Sequence, residues 1–204
     1  MRVVGGSARG IQLRVVPGHG TRPILDRVKT SLFDILRPRI SGMHMLDLFA
    51  GSGSVGIEAL SQGAAFCTLI DLGDKAVATI KKNLVRTGFS NRAGVRHTDA
   101  FRYLRGTKEN FDLIYIAPPQ HKNLWVEVMH LIAARPEILR RSSAESREDH
   151  PAGLAIVQID PKEYEGLDLG EIIETRQKRY GNSLLLFFEP SGVRQPQAAG
   201  EATC

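Results

Sequence analysis

Residues 47–56 read DLFAGSGSVG, in which Gly51, Gly53 and Gly56 satisfy the spacing G-x-G-x-x-G. Glycines so spaced let the chain turn tightly and let a ligand approach the backbone, and a helix that begins there offers it unpaired N–H groups. Asp47 opens this loop, and Asp71 and Asp99 each follow a later apolar run. A carboxylate at Asp71 can accept both hydroxyls of a ribose, and one at Asp99 can accept from an adenine amino group. Asp47 bears on the charge of the ligand. A pyrophosphate would be repelled by a carboxylate at the mouth of its loop, whereas the ammonium and sulfonium region of S-adenosylmethionine would be attracted. Asp47 and Asp99 are also of a type that caps helical turns, and that use stays open for both. A second constellation is DLIYIAPPQ at residues 112–120. Pro118 and Pro119 stop the apolar run and fix φ, so the carbonyls leading into the turn are held in place. Such carbonyls beside a reactive methyl could orient an amino group for attack.

These groups need a scaffold that gathers strand ends at one edge. After residue 42 the pattern alternates strand and helix: strands at 43–49, 66–70, 93–97, 111–116 and 154–159, helices at 55–61, 75–87 and 101–104, and a longer amphipathic helix over 124–139 that is interrupted or restarted at Pro136. Residues 171–180 and 184–188 read as a closing antiparallel hairpin through Gly181 and Asn182. The expected architecture is α/β, a mostly parallel seven-stranded sheet covered by helices on both faces. Ahead of it, residues 1–16 suggest a small hairpin, and residues 24–37 an amphipathic helix with Arg27, Lys29 and Arg37 on its polar side. The expected division is a basic extension over 1–20, one catalytic-size domain over 21–190 and a disordered tail over 191–204, with a polar loop at 141–152.

The chain of 204 residues has a net charge of +5, unevenly spread. Up to residue 40 there are eight basic and two acidic side chains, a balance of +6; the other 164 residues hold 19 basic and 20 acidic, a balance of −1. Arginines interspersed with glycines suit a polyanion, most simply nucleic acid, and make Arg2, Arg9, Arg14 and Arg22 candidate phosphate contacts; the alternative is a solvated face. No apolar run approaches the length of a membrane span, and the first residues lack the apolar segment of a secretory signal, so a cytoplasmic location is expected. Two cysteines and six scattered histidines offer no metal-ligand spacing.

The chain resembles the bacterial 16S rRNA guanine-966 N2-methyltransferases over nearly all of residues 1–190. The resemblance is carried by RVVGGSARGIQL at the start, TRPILDRVKTSLFDIL at 21–36, LDLFAGSGSVGIEALSQGA at 46–64, Ile70-Asp71, KKN ending at Asn83, Asp99-Ala100, FDLIYIAPP at 111–119 and YGNSLLLFF at 180–188. It implies a Rossmann-like class I methyltransferase fold that moves a methyl group from S-adenosylmethionine to the exocyclic N2 of a guanine in 16S rRNA, in the small ribosomal subunit or its assembly intermediate. It assigns Asp47, Ala50, Gly51 and Gly53 to the methionine part of the cofactor, Asp71 to the ribose and Asp99 to the adenine. It lays residues 21–27, Arg27 included, over the cofactor pocket, gives the Arg-rich start to the rRNA, and makes Ala117, Pro118 and Pro119 the catalytic turn.

One departure touches the residues expected to handle the base. The family's Asp/Asn-Pro-Pro-Tyr is Ala117-Pro118-Pro119-Gln120 here. Ala117 cannot accept from N2–H, although the Pro118 carbonyl could, and Gln120 lacks the ring that would stack on an extruded base. Tyr115, His121, Trp125 and Phe49 remain as platforms, with Trp125 read more readily as core filler on an amphipathic helix and Tyr115 equally placed to face the sheet interior. Two other functions stay open at this point: methyl transfer to another nucleic acid amine, such as adenine N6, and RNA binding without catalysis by a protein that retains the pocket.

Overall fold

Met45 and Leu46 are neighbours in the chain and lie in different cores. Period-two alternation sends successive strand side chains to opposite sheet faces, and the central strands are apolar on both. Leu113 and Tyr115 join one core while Ile114 and Ile116 join the other, and Leu185 and Phe187 separate in the same way from Leu184, Leu186 and Phe188. The computed structural model describes residues 1–18, 24–120, 122–140 and 152–192. In chain order the elements are α1 (Asp26–Leu36), β1 (His44–Asp47), α2 (Ser54–Ser61), β2 (Phe66–Asp71), α3 (Asp74–Thr87), β3 (Ala93–His97), α4 (Ala100–Gly106), β4 (Leu113–Ile116), α5 (Leu124–Ala133), β5 (Leu154–Ile159), β6 (Ile172–Tyr180) and β7 (Ser183–Pro190).

The sheet has seven strands in the order β3-β2-β1-β4-β5-β7-β6. Strands β1 to β5 run parallel, whereas β7 is antiparallel to both β5 and β6. Tyr180 pairs with Ser183, so Gly181 and Asn182 form the two-residue turn expected between the last strands, with Gly181 at φ 59°. One face packs against Val28, Leu32 and Phe33 of α1, Ile57 and Leu60 of α2, and Ile80 and Leu84 of α3. The other packs against Leu104 of α4 and Trp125, Val128, Met129 and Ile132 of α5. Strand order reverses between β1 and β4, and in such sheets the crevice beyond the carboxyl ends at the reversal receives ligands.

The structure refines two expectations and corrects one. The N-terminal hairpin is short: Arg2 and Gln12 form an antiparallel bridge, and Val3 N–H donates to the Ile11 carbonyl, Leu13 N–H to the Met1 carbonyl and Gly10 N–H to the Val3 carbonyl. The segment between its arms is held by the domain: the Val4 and Gly5 N–H groups donate to the Glu58 carboxylate at 2.9 and 2.8 Å, and Ser7 N–H donates to the Ser61 carbonyl. Val3, Ala8 and Leu13 are buried in the first core. Lys29 does not lie on the polar side of α1. It is fully buried, its Nζ 3.2 Å from Glu58, itself fully buried, and donating to the Arg2 carbonyl and Ser54 Oγ at 2.5 and 3.1 Å. The helix expected over 124–139 is interrupted at Pro136 as its sequence suggests: α5 ends at Ala133, and Pro136 starts a separate 3-10 turn over Pro136–Ile138. The polar loop expected over 141–152 lies, apart from Ala152, outside the described residues, as does the tail beyond Gly192.

Candidate active site

Each of the three carboxylates stands at or just beyond the C-terminal end of a strand, and each is tied to the backbone that follows it. Asp47, the last residue of β1, is buried; its Oδ2 accepts from Gly56 N–H at 3.2 Å, in the first turn of α2. Asp71, the last residue of β2, accepts from Gly51 N–H at 2.7 Å through Oδ2 and from Gly73 N–H at 2.8 Å through Oδ1. Asp99 follows β3 and caps α4, accepting from Arg102 N–H at 2.9 Å. The capping use and a ligand-binding use are therefore compatible: each carboxylate is aimed by its backbone bond while oxygen lone pairs remain for a guest.

Asp47 carries the strongest electrostatic signal. Its Oδ1 is buried with no hydrogen-bond partner. Burial first, and the charge of Asp71 second, push its pKa up from 3.8 to about 7, against the opposing pull of the Gly56 N–H. A buried carboxylate with an unpartnered oxygen is costly without a compensating charge or donor, and a cation at the loop would supply it. The glycines have separate tasks. Gly51, at φ 56°, has open space where a Cβ would stand and lines the cavity. Gly53, at φ 76°, does not line the cavity; a Cβ there would stand 3.2 Å from Leu69 and 3.4 Å from Ile80. A Cβ on Gly56 would come within 2.7 Å of Cys67 Sγ, so this glycine lets α2 lie close on the sheet. The third position of the motif thus serves packing.

These groups surround a cavity of about 710 Å³ at the β1–β4 reversal, whose lining includes Asp47, Ala50, Gly51, Asp71 and Asp99 on one side and Ala117, Pro118, Pro119 and Gln120 on the other. Pro118 is buried and Pro119 exposed, and outside the strand ladders no backbone N–H of the described residues donates to the Pro118 carbonyl. Tyr115 also lines the cavity, but it is buried and its hydroxyl donates to Gln158 Oε1. Burial and the nearby Asp47 charge hold its phenol well above the ordinary value, so it stays protonated and acts as a donor.

Of the candidate base platforms, Trp125 is excluded: it is fully buried and its Nε1–H donates to the Glu163 carbonyl at 3.3 Å. Phe49 is half-buried and lines the cavity. His121 lies outside the described residues, as does Arg22. Arg27 is exposed and absent from the cavity lining, because α1 turns its neighbours Val28 and Lys29 toward the core. Arg2, Arg9 and Arg14 are exposed; Arg2 stands 3.7 Å from Asp26.

Sequence reasoning missed two features. An apolar rim surrounds the opening, where Val15, Leu25 and Leu72 line the cavity yet are 55%, 55% and 66% exposed. Leu72 could have been noticed as an apolar residue placed just after a strand-ending acid. The other is Asn83, which in the sequence stands out only as the end of the KKN motif. It is fully buried; its side chain accepts from Arg14 N–H at 2.8 Å and donates to the carbonyls of Arg14 and Ser52 at 3.0 and 2.8 Å, tying the N-terminal segment to the glycine loop. Its signal was an amide on the apolar stripe of α3, between Ile80 and Leu84. Among the described residues no group of three His, Cys, Asp or Glu side chains is placed to hold a metal ion, and no helix is long and apolar enough to cross a membrane.

The family model described as conserved hypothetical protein 95 matches residues 1–189. A Bacillus subtilis protein named "Putative rRNA methyltransferase YlbH" is 33% identical over 195 residues, covering 94% of this chain and 100% of that protein. The Escherichia coli "Ribosomal RNA small subunit methyltransferase D" is 40% identical over 135 residues, 65% of this chain and 66% of that protein. Among solved structures, the E. coli "Putative methyltransferase yhhF" superposes with a TM-score of 0.78 at 27% identity, covering 93% of this chain and 97% of that one.

Proposed function

The chain belongs to the conserved hypothetical protein 95 family, and from that premise we propose that it transfers a methyl group from S-adenosylmethionine to the exocyclic N2 of a guanine in 16S rRNA. It is an rRNA methyltransferase by its likeness to relatives of that name; the base, the atom and the small-subunit setting are the finer reading. The observation that carries it is the unpartnered, buried Oδ1 of Asp47 at the mouth of a glycine loop, inside the cavity that also holds the Ala117-Pro118-Pro119 turn. That carboxylate fits a cationic guest and opposes a pyrophosphate.

When bound, S-adenosylmethionine supplies a methyl carbon on a positively charged sulfur. The protein's own contribution is placement. Asp47 would face the positive end, Gly51 leaves room for the methionine part, Asp71 would hold the ribose and Asp99 the adenine amino group. On the opposite wall the carbonyls of Ala117 and Pro118, fixed by two successive proline rings, are the acceptors for an amine. Ala117 adds no side-chain acceptor, so orientation of N2–H falls to the main chain. Val15, Leu25 and Leu72 would exclude water from the mouth once a ligand covers them.

The test is to incubate the purified protein with labelled S-adenosylmethionine and under-methylated 30S particles, then digest the RNA to nucleosides. Label in N2-methylguanosine of 16S rRNA is expected. Label in another RNA base, or in DNA adenine, would reassign the amine, and tight binding of cofactor and RNA without labelled product would overturn the catalytic reading.

A further inference from the structure

We propose that the exposed face of α3 forms, with Arg14, a groove that holds the sugar-phosphate backbone of the substrate RNA beside the cavity mouth. Arg14, Lys81, Lys82, Val85 and Arg86 line a groove of about 430 Å³, separate from the main cavity, and all five are exposed. The proposal rests on the rRNA reading above and deepens it by extending a phosphate track from Arg14 of the N-terminal charge excess onto α3.

What marks this groove is that four cations with no ion pair among the described residues line one concavity. Of the cations up to residue 40, Lys29 is buried against Glu58, Arg37 pairs with Asp34, Arg39 lies 2.8 Å from Glu189, and Arg2 stands near Asp26. Among the described residues none of the four groove cations has a carboxylate within ion-pair distance. The one carboxylate of α3, Asp74, lies about two turns away and faces His97 at 3.5 Å. Unpaired like charges gathered in one concavity repel one another and favour a polyanion. Lys82 and Arg86 are one helical turn apart, about 6 Å along the axis, a spacing that lets successive phosphates be met along one strand.

The groove is also fixed relative to the chemistry. Arg14 is pinned by its main chain to Asn83 of α3, and the same amide binds the carbonyl of Ser52 in the glycine loop. Val15 and Val16, the next two residues, line the main cavity. The two concavities therefore meet along residues 14–16, which places the groove next to the wall of the main cavity.

The experiment measures binding of an unmodified 16S rRNA transcript as a function of KCl for the wild-type protein, for Lys81→Gln/Lys82→Gln/Arg86→Gln and for the milder Lys81→Gln/Lys82→Gln. The slope of log affinity against log salt is expected to fall by about two to three units in the triple variant and by about one to two in the double, at roughly 0.7 to 0.9 per lost phosphate contact. Binding of S-adenosylhomocysteine should stay at the wild-type value in both, which checks that they fold. Wild-type salt dependence in folded variants would overturn the groove and leave the rRNA reading standing. A wild-type protein that binds neither the transcript nor, in the same salt series, under-methylated 30S particles would strike at the rRNA reading itself, and the groove would fall with it; where only the particles bind, the slopes are compared on them.

Discussion

On the β1–β2 wall of the cavity, side chains and backbone constrain one another: Asp71 holds the N–H groups of Gly51 and Gly73, Asp47 holds Gly56, and Asp99 caps α4. On the β4 wall the constraint is almost entirely main chain, two prolines in succession, and the side chains at its edges are a methyl group at Ala117 and an amide at Gln120. The first wall should therefore tolerate little change, since each carboxylate shapes the loop as well as the ligand site. The second should tolerate more, because its acceptors are carbonyls that no substitution at 117 removes. The departure from the family pattern falls on the wall that can bear it.

The sharpest way to break this contrast is Asp71→Ala. It removes two main-chain bonds together with the proposed ribose acceptor, and charge-assisted bonds are worth about 1.5 to 3 kcal/mol each. Affinity for S-adenosylmethionine, measured by calorimetry, should fall about a hundredfold; an unchanged constant would remove Asp71 from the site. Next comes pH. Because Asp47 ionises at about 7 in the folded protein and at 3.8 in its ordinary state, the native state holds its proton more tightly. The contribution of Asp47 to ligand-free stability should therefore be fully present below about pH 4, decline as pH rises from about 4 to about 7, and level off above. Cofactor affinity should run the opposite way, rising through pH 7 as the carboxylate becomes charged. Asp47→Asn should flatten both profiles; a chemical-denaturation series and a binding series over the same pH range check this, and an unaltered affinity profile in the variant would assign the pH dependence to another group.

Smaller effects are expected elsewhere. Arg9→Ala should reduce the salt dependence of RNA binding by about one unit per lost phosphate contact, and an unaltered slope would make Arg9 part of a solvated face. Ala117→Asp should have the least effect on turnover of under-methylated 30S particles, with activity kept or modestly raised. Its abolition would mean that the second wall needs room at this position, and that the two walls are equally demanding.

What could be read from the residues was what local chemistry dictates. Alternating apolar runs gave the strands, Gly181 and Asn182 the last turn, Pro118 and Pro119 the end of β4, and the glycine spacing the start of α2. What could not be read depends on groups brought together from distant positions. Lys29 looks like any helix-surface lysine until Glu58, on another helix, is placed against it. The hairpin at the start could be read from its residues, but what seats it could not: Glu58 and Ser61, far along the chain, accept from N–H groups of the segment between its arms. Arg27 matches a family segment, yet the facing of α1 is set by burial of its neighbours. The α3 cations were hidden by a sum: a segment with a balance of −1 can still gather its positive charges on one helix.

The ion pair between Lys29 and Glu58 has a consequence for the order of assembly. The arginine-rich segment leaves the ribosome before any of the groups that seat it, which lie at residues 29, 54, 58, 61 and 83. Its residues are thus translated before the groups that seat them and fixed only once those groups have followed. A nascent chain halted before α3 lacks Asn83, the residue that fastens Arg14, so the ordered display of Arg14 reports that the surrounding domain has been made.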